Sequence, residues 1–131
     1  MARIMVTENC GNAPKQAFVL DFLRAVVSGS PDQALTMVTD DIQIQIVGRE
    51  TLTGRASLSD RLQTARDRTP VQELEVLNVI SHGKWCSSNG SIRFADNTRI
   101  GFNNLYTFSG HGKNALLQRI EIYAVAELNA R

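Results

Sequence analysis

The stretch Ile42-Gln43-Ile44-Gln45-Ile46-Val47 alternates apolar and polar residues until its last position. Successive side chains of a strand point to opposite faces, so a period of two predicts a strand with one face buried. Toward the N-terminus the period changes. Ala17, Leu20, Phe22, Leu23, Val26 and Val27 recur mostly at spacings of three and four, which predicts an amphipathic helix from Ala13. Asn12 is placed to cap it, and Pro14 suits a first turn, where the missing N–H costs nothing. Ser28-Gly29-Ser30 stops it. A second, shorter helix follows, with Ser30 as N-cap, Pro31 at its first position and Gln33 completing a capping box. Ala34, Leu35 and Val38 form its apolar side, and Thr39, Asp40 and Asp41 end it. Residues 1–12 show no sustained period and are expected to be a loose lead-in.

Toward the C-terminus, Gly48 breaks the alternating strand, and Thr51-Leu52-Thr53 adds a short one before Gly54. A third helix is expected from about Ala56 to Arg66, with Leu58, Leu62 and Ala65 on its buried side and Pro70 closing the segment. Four strands then follow, over Val71 to Ser81, Lys84 to Phe94, Arg99 to Phe108 and Leu116 to Leu128. They are separated by the turn signals His82-Gly83, Asp96-Asn97 and Ser109-Gly110-His111-Gly112-Lys113. Three helices in the N-terminal half and an antiparallel meander after them define an α+β class, with the helices packed on one face of a curved sheet. One domain is expected over residues 13–128, followed by a tail at 129–131.

Composition narrows the class of protein. A chain of 131 residues suits one domain, large enough for a core without disulfides or metals. Hydrophobic residues at 43% and charged residues at 21% exclude intrinsic disorder. Fourteen basic residues balance thirteen acidic ones, and the densest basic cluster, Arg61, Arg66 and Arg68, is diluted by Asp60 and Asp67. A nucleic-acid partner would leave a stronger basic footprint, so none is expected. Cys10 and Cys86 stand in no CxxC or metal-type spacing. No metal and no cofactor are expected, and two free thiols point to a cytoplasmic protein. The apolar run Ile4-Met5-Val6 is too short for a signal-peptide core, and no segment reaches the length of a membrane span.

The order of elements and several local phrases resemble the NTF2-like superfamily, which includes SnoaL-like and ketosteroid-isomerase-like proteins. Ser28-Gly29-Ser30-Pro31-Asp32-Gln33-Ala34-Leu35 looks like the link between that superfamily's first two helices. Met37-Val38-Thr39-Asp40-Asp41 looks like the lead into its first long strand, and Gly54-Arg55-Ala56-Ser57-Leu58 like the start of its third helix. Leu105-Tyr106-Thr107-Phe108, a glycine turn, then Arg119-Ile120-Glu121-Ile122-Tyr123 looks like its closing hairpin. The resemblance covers residues 13–127 and implies a cone whose helices close over an apolar cavity. Function does not follow from the fold, because the superfamily hosts isomerases, cyclases, dehydratases, epoxide hydrolases and non-catalytic dimers.

The positions at which that resemblance would place ketosteroid-isomerase chemistry hold other residues. The general base falls on Ile46, the phenol donor on Phe22 and the acid donor on Asn104. That mechanism needs a proton-accepting carboxylate and two oxyanion donors, so it is not expected here. An epoxide-hydrolase-type aspartate on the last strand would fall at Ile122, and strand parity turns the adjacent Glu121 to the other face.

What remains is a binding site rather than a catalytic set. Phe22, Ile46, Phe102, Asn104 and Tyr106 are expected to line the cavity, with Asn104 and Tyr106 hydrogen-bonding one polar end of an apolar ligand. The plainer alternative is that Asn104 and Tyr106 satisfy each other. Across the Asp96-Asn97 turn, either Ser87 and Asn89 or Ile92 and Phe94 share Asn104's face; the second register buries more apolar area. His82 and His111 lie in glycine turns and read as exposed. Asp21 reads as a solvated helix residue, and Asp40 and Asp41 as turn and capping groups. No catalytic residue is identified, and the sequence leaves open whether there is a reaction. The resemblance implies a homodimer through the open sheet face, where Arg119, Glu121 and Tyr123 accompany Gln43 and Gln45.

Overall fold

In a computed structural model of the chain, residues 2–8, 10–28 and 31–127 are described. The elements run β1 (Arg3–Val6), α1 (Pro14–Val27), α2 (Pro31–Leu35), β2 (Val38–Ile46), β3 (Glu50–Thr53), α3 (Arg55–Arg68), β4 (Val71–His82), β5 (Trp85–Phe94), β6 (Arg99–Phe108) and β7 (Leu117–Ala126). The strands form one open sheet in the order β1-β4-β5-β6-β7-β2-β3. β4 to β7 make the expected antiparallel meander. The sheet as a whole is mixed rather than antiparallel, because β1 pairs in parallel with β4 and β2 in parallel with β7.

Two local expectations need correction. Arg3–Val6 is a strand and not a loose lead-in; it lies along β4, with Ile4 opposite Leu74 and Val6 opposite Val76. A four-residue edge strand paired about seventy positions away leaves no period of its own to read. The second helix stops at Leu35, and Val38 to Asp41 already belong to β2. Val38 sits opposite Leu117 of β7, so tertiary pairing extends the strand back through the two aspartates. Arg55, at the start of α3, pairs with Asp40 and donates to the Val38 carbonyl at 2.6 Å, which ties α3 to this end of β2.

The N-cap of α1 is Ala13 rather than Asn12, with no side-chain cap bond. The Gln16 side chain instead accepts from the Ala13 N–H at 3.4 Å. The expected cap of α2, Ser30, lies outside the described residues.

The helices cover one face of the sheet. α1 buries Val19, Leu20, Phe22, Leu23 and Ala25 against it, α2 buries Ala34, and α3 buries Leu58. From the sheet, Ile42, Ile44, Leu74, Val76, Val79, Phe102, Tyr106, Phe108, Leu117 and Ile120 complete the core. Burying each of the larger aliphatic and phenylalanine side chains contributes about 1.5–3 kcal/mol. At the Asp96-Asn97 turn, Asn97 takes φ 72°, the left-handed conformation that its sequence position predicts.

A bulge in β4 changes which residues of that strand face the helices. Val76 pairs with Gly90 and Asn78 with Asn89, so Leu77 is the extra residue. Before the bulge Leu74 and Val76 face the helices; after it Val79 does. Gly90 is required at this point. A Cβ there would lie 1.9 Å from the Glu75 carbonyl oxygen and 3.1 Å from Val76 Cα, both backbone atoms that cannot step aside.

Candidate functional site

The register between β5 and β6 fixes which side chains meet. Ser88 lies opposite Asn104, Cys86 opposite Tyr106, Gly90 opposite Phe102 and Ile92 opposite Ile100. The even-numbered residues of β5 therefore share the concave face with Asn104, which is the register that buries Ile92 and Phe94. Ser87, by contrast, bonds to Asn103 on the open face at 3.2 Å.

Cross-strand rows on the concave face then follow. Ile46, Ile122, Asn104, Ser88 and Val79 form one row. Ile44, Ile120, Tyr106, Cys86 and Ser81 form the row on one side of it. Ala124, Phe102, Gly90 and Val76 form the row on the other. Of the expected site residues, Ile46 and Asn104 share a row, Phe102 and Tyr106 flank it, and Phe22 packs into the same core from α1. Ile46 is partly buried, and the other four are buried.

A short polar chain crosses this apolar face. Asn104 Nδ2 donates to Tyr106 Oη at 3.1 Å, and Tyr106 Oη lies 2.8 Å from Ser88 Oγ. Tyr106 has no exposed surface, Ser88 is 1% exposed and Asn104 is 7% exposed. Asn104 and Tyr106 thus bond to each other, but only on one side of the amide: the buried Asn104 Oδ1 has no partner among the described residues. An acceptor held out of water without a donor costs about 1–3 kcal/mol, so such atoms in native folds call for an explanation. Ser88 is the member of this chain that sequence reasoning missed. It sits in a Ser- and Asn-rich strand that reads weakly, and the favoured Ile92–Phe94 register already implies that it shares the face of Asn104.

Proton chemistry at neutral pH has no obvious carrier on this face. Burial pushes the Tyr106 hydroxyl up to about 12, against the smaller opposing effect of its bonds to Ser88 and Asn104. Burial also pushes the Cys86 thiol up to about 11. Among the described residues the buried polar side chains are Ser88 and Asn104, with no buried carboxylate or imidazole. His82 and His111 are exposed, as are Asp21, Asp40 and Asp41. No group of three or more His, Cys, Asp or Glu side chains among the described residues could hold a metal ion. Cys10 and Cys86 are both free thiols.

An apolar cavity of about 420 Å³ opens at one end of the cone. Val26 and Val27 of α1, Leu62 and Ala65 of α3, and Val71, Ile92 and Phe94 of β4 and β5 form its wall; Ser28, Arg66 and Thr69 add polar groups. None of the five expected site residues lines it. The Asn104 row lies farther along the sheet: Ile92 is four residues from Ser88 on β5, which at about 3.4 Å per residue separates the two by roughly 14 Å. The Phe102 row stands between the two.

Neither a protein-family model nor a curated protein sequence matches the chain. Solved structures do match its shape. A candidate ketosteroid isomerase from Kribbella flavida superposes with a TM-score of 0.74 at 13% identity, over 90% of this chain and 82% of that one. An epoxide hydrolase/cyclase-like enzyme of pyran ring formation in salinomycin superposes at 0.68 and 18% identity, over 85% and 90%. A candidate polyketide cyclase from Sinorhizobium meliloti superposes at 0.68 and 14% identity, over 82% and 94%. The chain has the NTF2-like fold, a cone shared with SnoaL-like cyclases and ketosteroid-isomerase-like proteins. No helix among the described residues is long and apolar enough to cross a membrane.

Proposed function

We propose that the protein binds an apolar small molecule inside its cone. The ligand enters at the mouth between α1, α3 and the ends of β4 and β5. Its polar end meets the Ser88–Tyr106–Asn104 chain, and Phe22, Ile46 and Phe102 pack against its body. The observation that carries this reading is Asn104 Oδ1, a buried polar atom with no partner, on a face that is otherwise almost wholly apolar. A site with apolar walls and very few placed polar groups is what a small-molecule pocket requires. Catalysis of an isomerase, cyclase or hydratase type on an apolar substrate is compatible with this cone. It would proceed without the ketosteroid-isomerase residues, since Ile46, Phe22 and Asn104 stand in their places.

A thermal-shift screen against apolar ring compounds with one hydroxyl or carbonyl tests the reading. Ligand at about 100 times its dissociation constant adds about 2.7 kcal/mol of stability. Hits that weaken in Asn104→Leu support the proposal. A broad panel without hits would move the assignment to the second reading.

That second reading is a non-catalytic dimeric module, favoured by the open face of the sheet. Ile80, Leu105, Tyr123 and Val125 are exposed there, 65%, 37%, 49% and 72% respectively. They surround an amide cluster in which Asn78 bonds to Asn89 at 3.0 Å. A face of this character fits a second copy of the chain, and light scattering on the purified protein measures it directly.

A further inference from the structure

The polarity of the buried chain names the class of ligand, an inference that rests on the binding site proposed above. An amide nitrogen can only donate, so at the Asn104–Tyr106 contact the phenol oxygen is the acceptor. Tyr106 keeps its proton throughout the physiological range, because burial holds it up to about 12. With Oη already accepting from Asn104, that proton points to the other neighbour within reach, Ser88 Oγ at 2.8 Å. Donation therefore runs from Asn104 to Tyr106 to Ser88. Two groups of the chain are then left over: Asn104 Oδ1, an acceptor with no partner among the described residues, and the Ser88 hydroxyl proton, a donor in the same row.

We infer that the ligand is a neutral apolar molecule with a hydroxyl group, which donates to Asn104 Oδ1. A hydroxyl can donate to Asn104 Oδ1 and accept from Ser88, whereas a carbonyl or enolate oxygen can only accept from Ser88 and sets its lone pairs against those of Asn104 Oδ1. An ammonium would donate, but the surrounding row offers Ile46, Ile122 and Val79 and no counter-charge, so burying it would be costly. The unpartnered acceptor sets the arrangement apart from an oxyanion hole, which presents donors alone to a developing negative oxygen. It suits recognition of an alcohol or phenol. The distance from the mouth to the Asn104 row, roughly 14 Å by strand rise, adds a length requirement. A fused-ring or chain skeleton long enough to span that distance would put the hydroxyl at Asn104 with the apolar end in the cavity lined by Val26, Leu62, Ile92 and Phe94.

Matched alcohol and ketone pairs of one carbon skeleton, such as a fused-ring alcohol and its ketone, make the test. Both are titrated calorimetrically into the wild-type protein, which needs no variant to fold. The expected result is about tenfold tighter binding of the alcohol, falling to within about twofold of the ketone in Asn104→Leu. Circular dichroism checks that this variant is folded. Equal affinities, or a preference for the ketone, would overturn the assigned polarity while leaving the binding site in place. An alcohol preference that survives Asn104→Leu would also overturn it, since the hydroxyl would then be recognised elsewhere. Failure of both members across several skeletons would remove the binding site itself, and this inference with it.

Discussion

Removing the Tyr106 hydroxyl puts the buried polar chain to a quantitative test. Tyr106→Phe keeps the ring, which packs with no exposed surface between β5, β7 and the helices. It deletes the atom that both Asn104 Nδ2 and Ser88 Oγ contact, at 3.1 and 2.8 Å. Two buried polar groups then lose a partner, each at about 1–3 kcal/mol. Some relaxation is available to Ser88, whose hydroxyl can rotate, so the low end applies to it. The expected cost is about 2–4 kcal/mol. With a urea m-value of about 2 kcal/mol/M for a chain of this size, the unfolding midpoint drops by about 1–2 M. The decisive comparison is the triple variant Ser88→Ala/Tyr106→Phe/Asn104→Leu. It removes every polar member at once and should lose less stability than Tyr106→Phe alone, because no group is left stranded. Asn104→Leu changes shape as well as polarity, so some packing cost of its own is expected. A Tyr106→Phe protein within about 0.5 kcal/mol of wild type would refute the reasoning, since it would mean that the three groups were never isolated from water.

Other perturbations have equally definite signs. Stability should be complete below pH 9 and fall as pH rises from about 9 toward 12. The Cys86 thiol and Tyr106 hydroxyl ionise in the unfolded chain before they do in the folded one, where burial holds them at about 11 and about 12. Cys86→Ala and Tyr106→Phe should each flatten the alkaline arm, as followed by near-ultraviolet circular dichroism. Phe102→Ala should cost about 3–5 kcal/mol and widen the way from the mouth cavity to the Asn104 row that the proposed ligand takes, so that calorimetry finds bulkier ring compounds binding more tightly than to wild type. Gly90→Ala should leave little folded protein, since its Cβ would meet the Glu75 carbonyl at 1.9 Å; soluble expression and a melting curve decide it. If the open face pairs two copies, Leu105→Glu or Val125→Glu should convert the dimer to a monomer in light scattering without lowering the melting temperature of the monomer.

The sequence revealed the fold wherever order is local, and missed it wherever order comes from distant pairing. Ile42 to Ile46 and the three turns of the meander carry their own signals, so β2 and β4 to β7 were legible to within a few residues. β1 was not, because Arg3–Val6 is ordered by Leu74 and Val76 rather than by its own pattern. The early start of β2 has the same origin in the Val38–Leu117 pairing. At the candidate site, parity along β6 correctly grouped Phe102, Asn104 and Tyr106 on one face. The contact with Ser88 depends on the length of the Asp96-Asn97 turn. The position of the cavity depends on how the ends of α1 and α3 sit over β4, which no local pattern encodes.

The place of β7 in the sheet has a consequence for the timing of folding. Leu117–Ala126 follows all the other strands in the chain, yet it lies inside the sheet, between β6 and β2. Its pairing with β2 joins residues about 76 positions apart, as in Ile44 with Ile120. On a ribosome, β2 and β3 therefore emerge with their inner edge open and wait for most of the chain to be made. Topologies dominated by such long-range pairings fold slowly and leave strand edges exposed meanwhile. The interval before β7 inserts is when the nascent chain is most open to aggregation. Synthesis conditions that shorten it should raise the yield of folded protein more than changes to the finished surface.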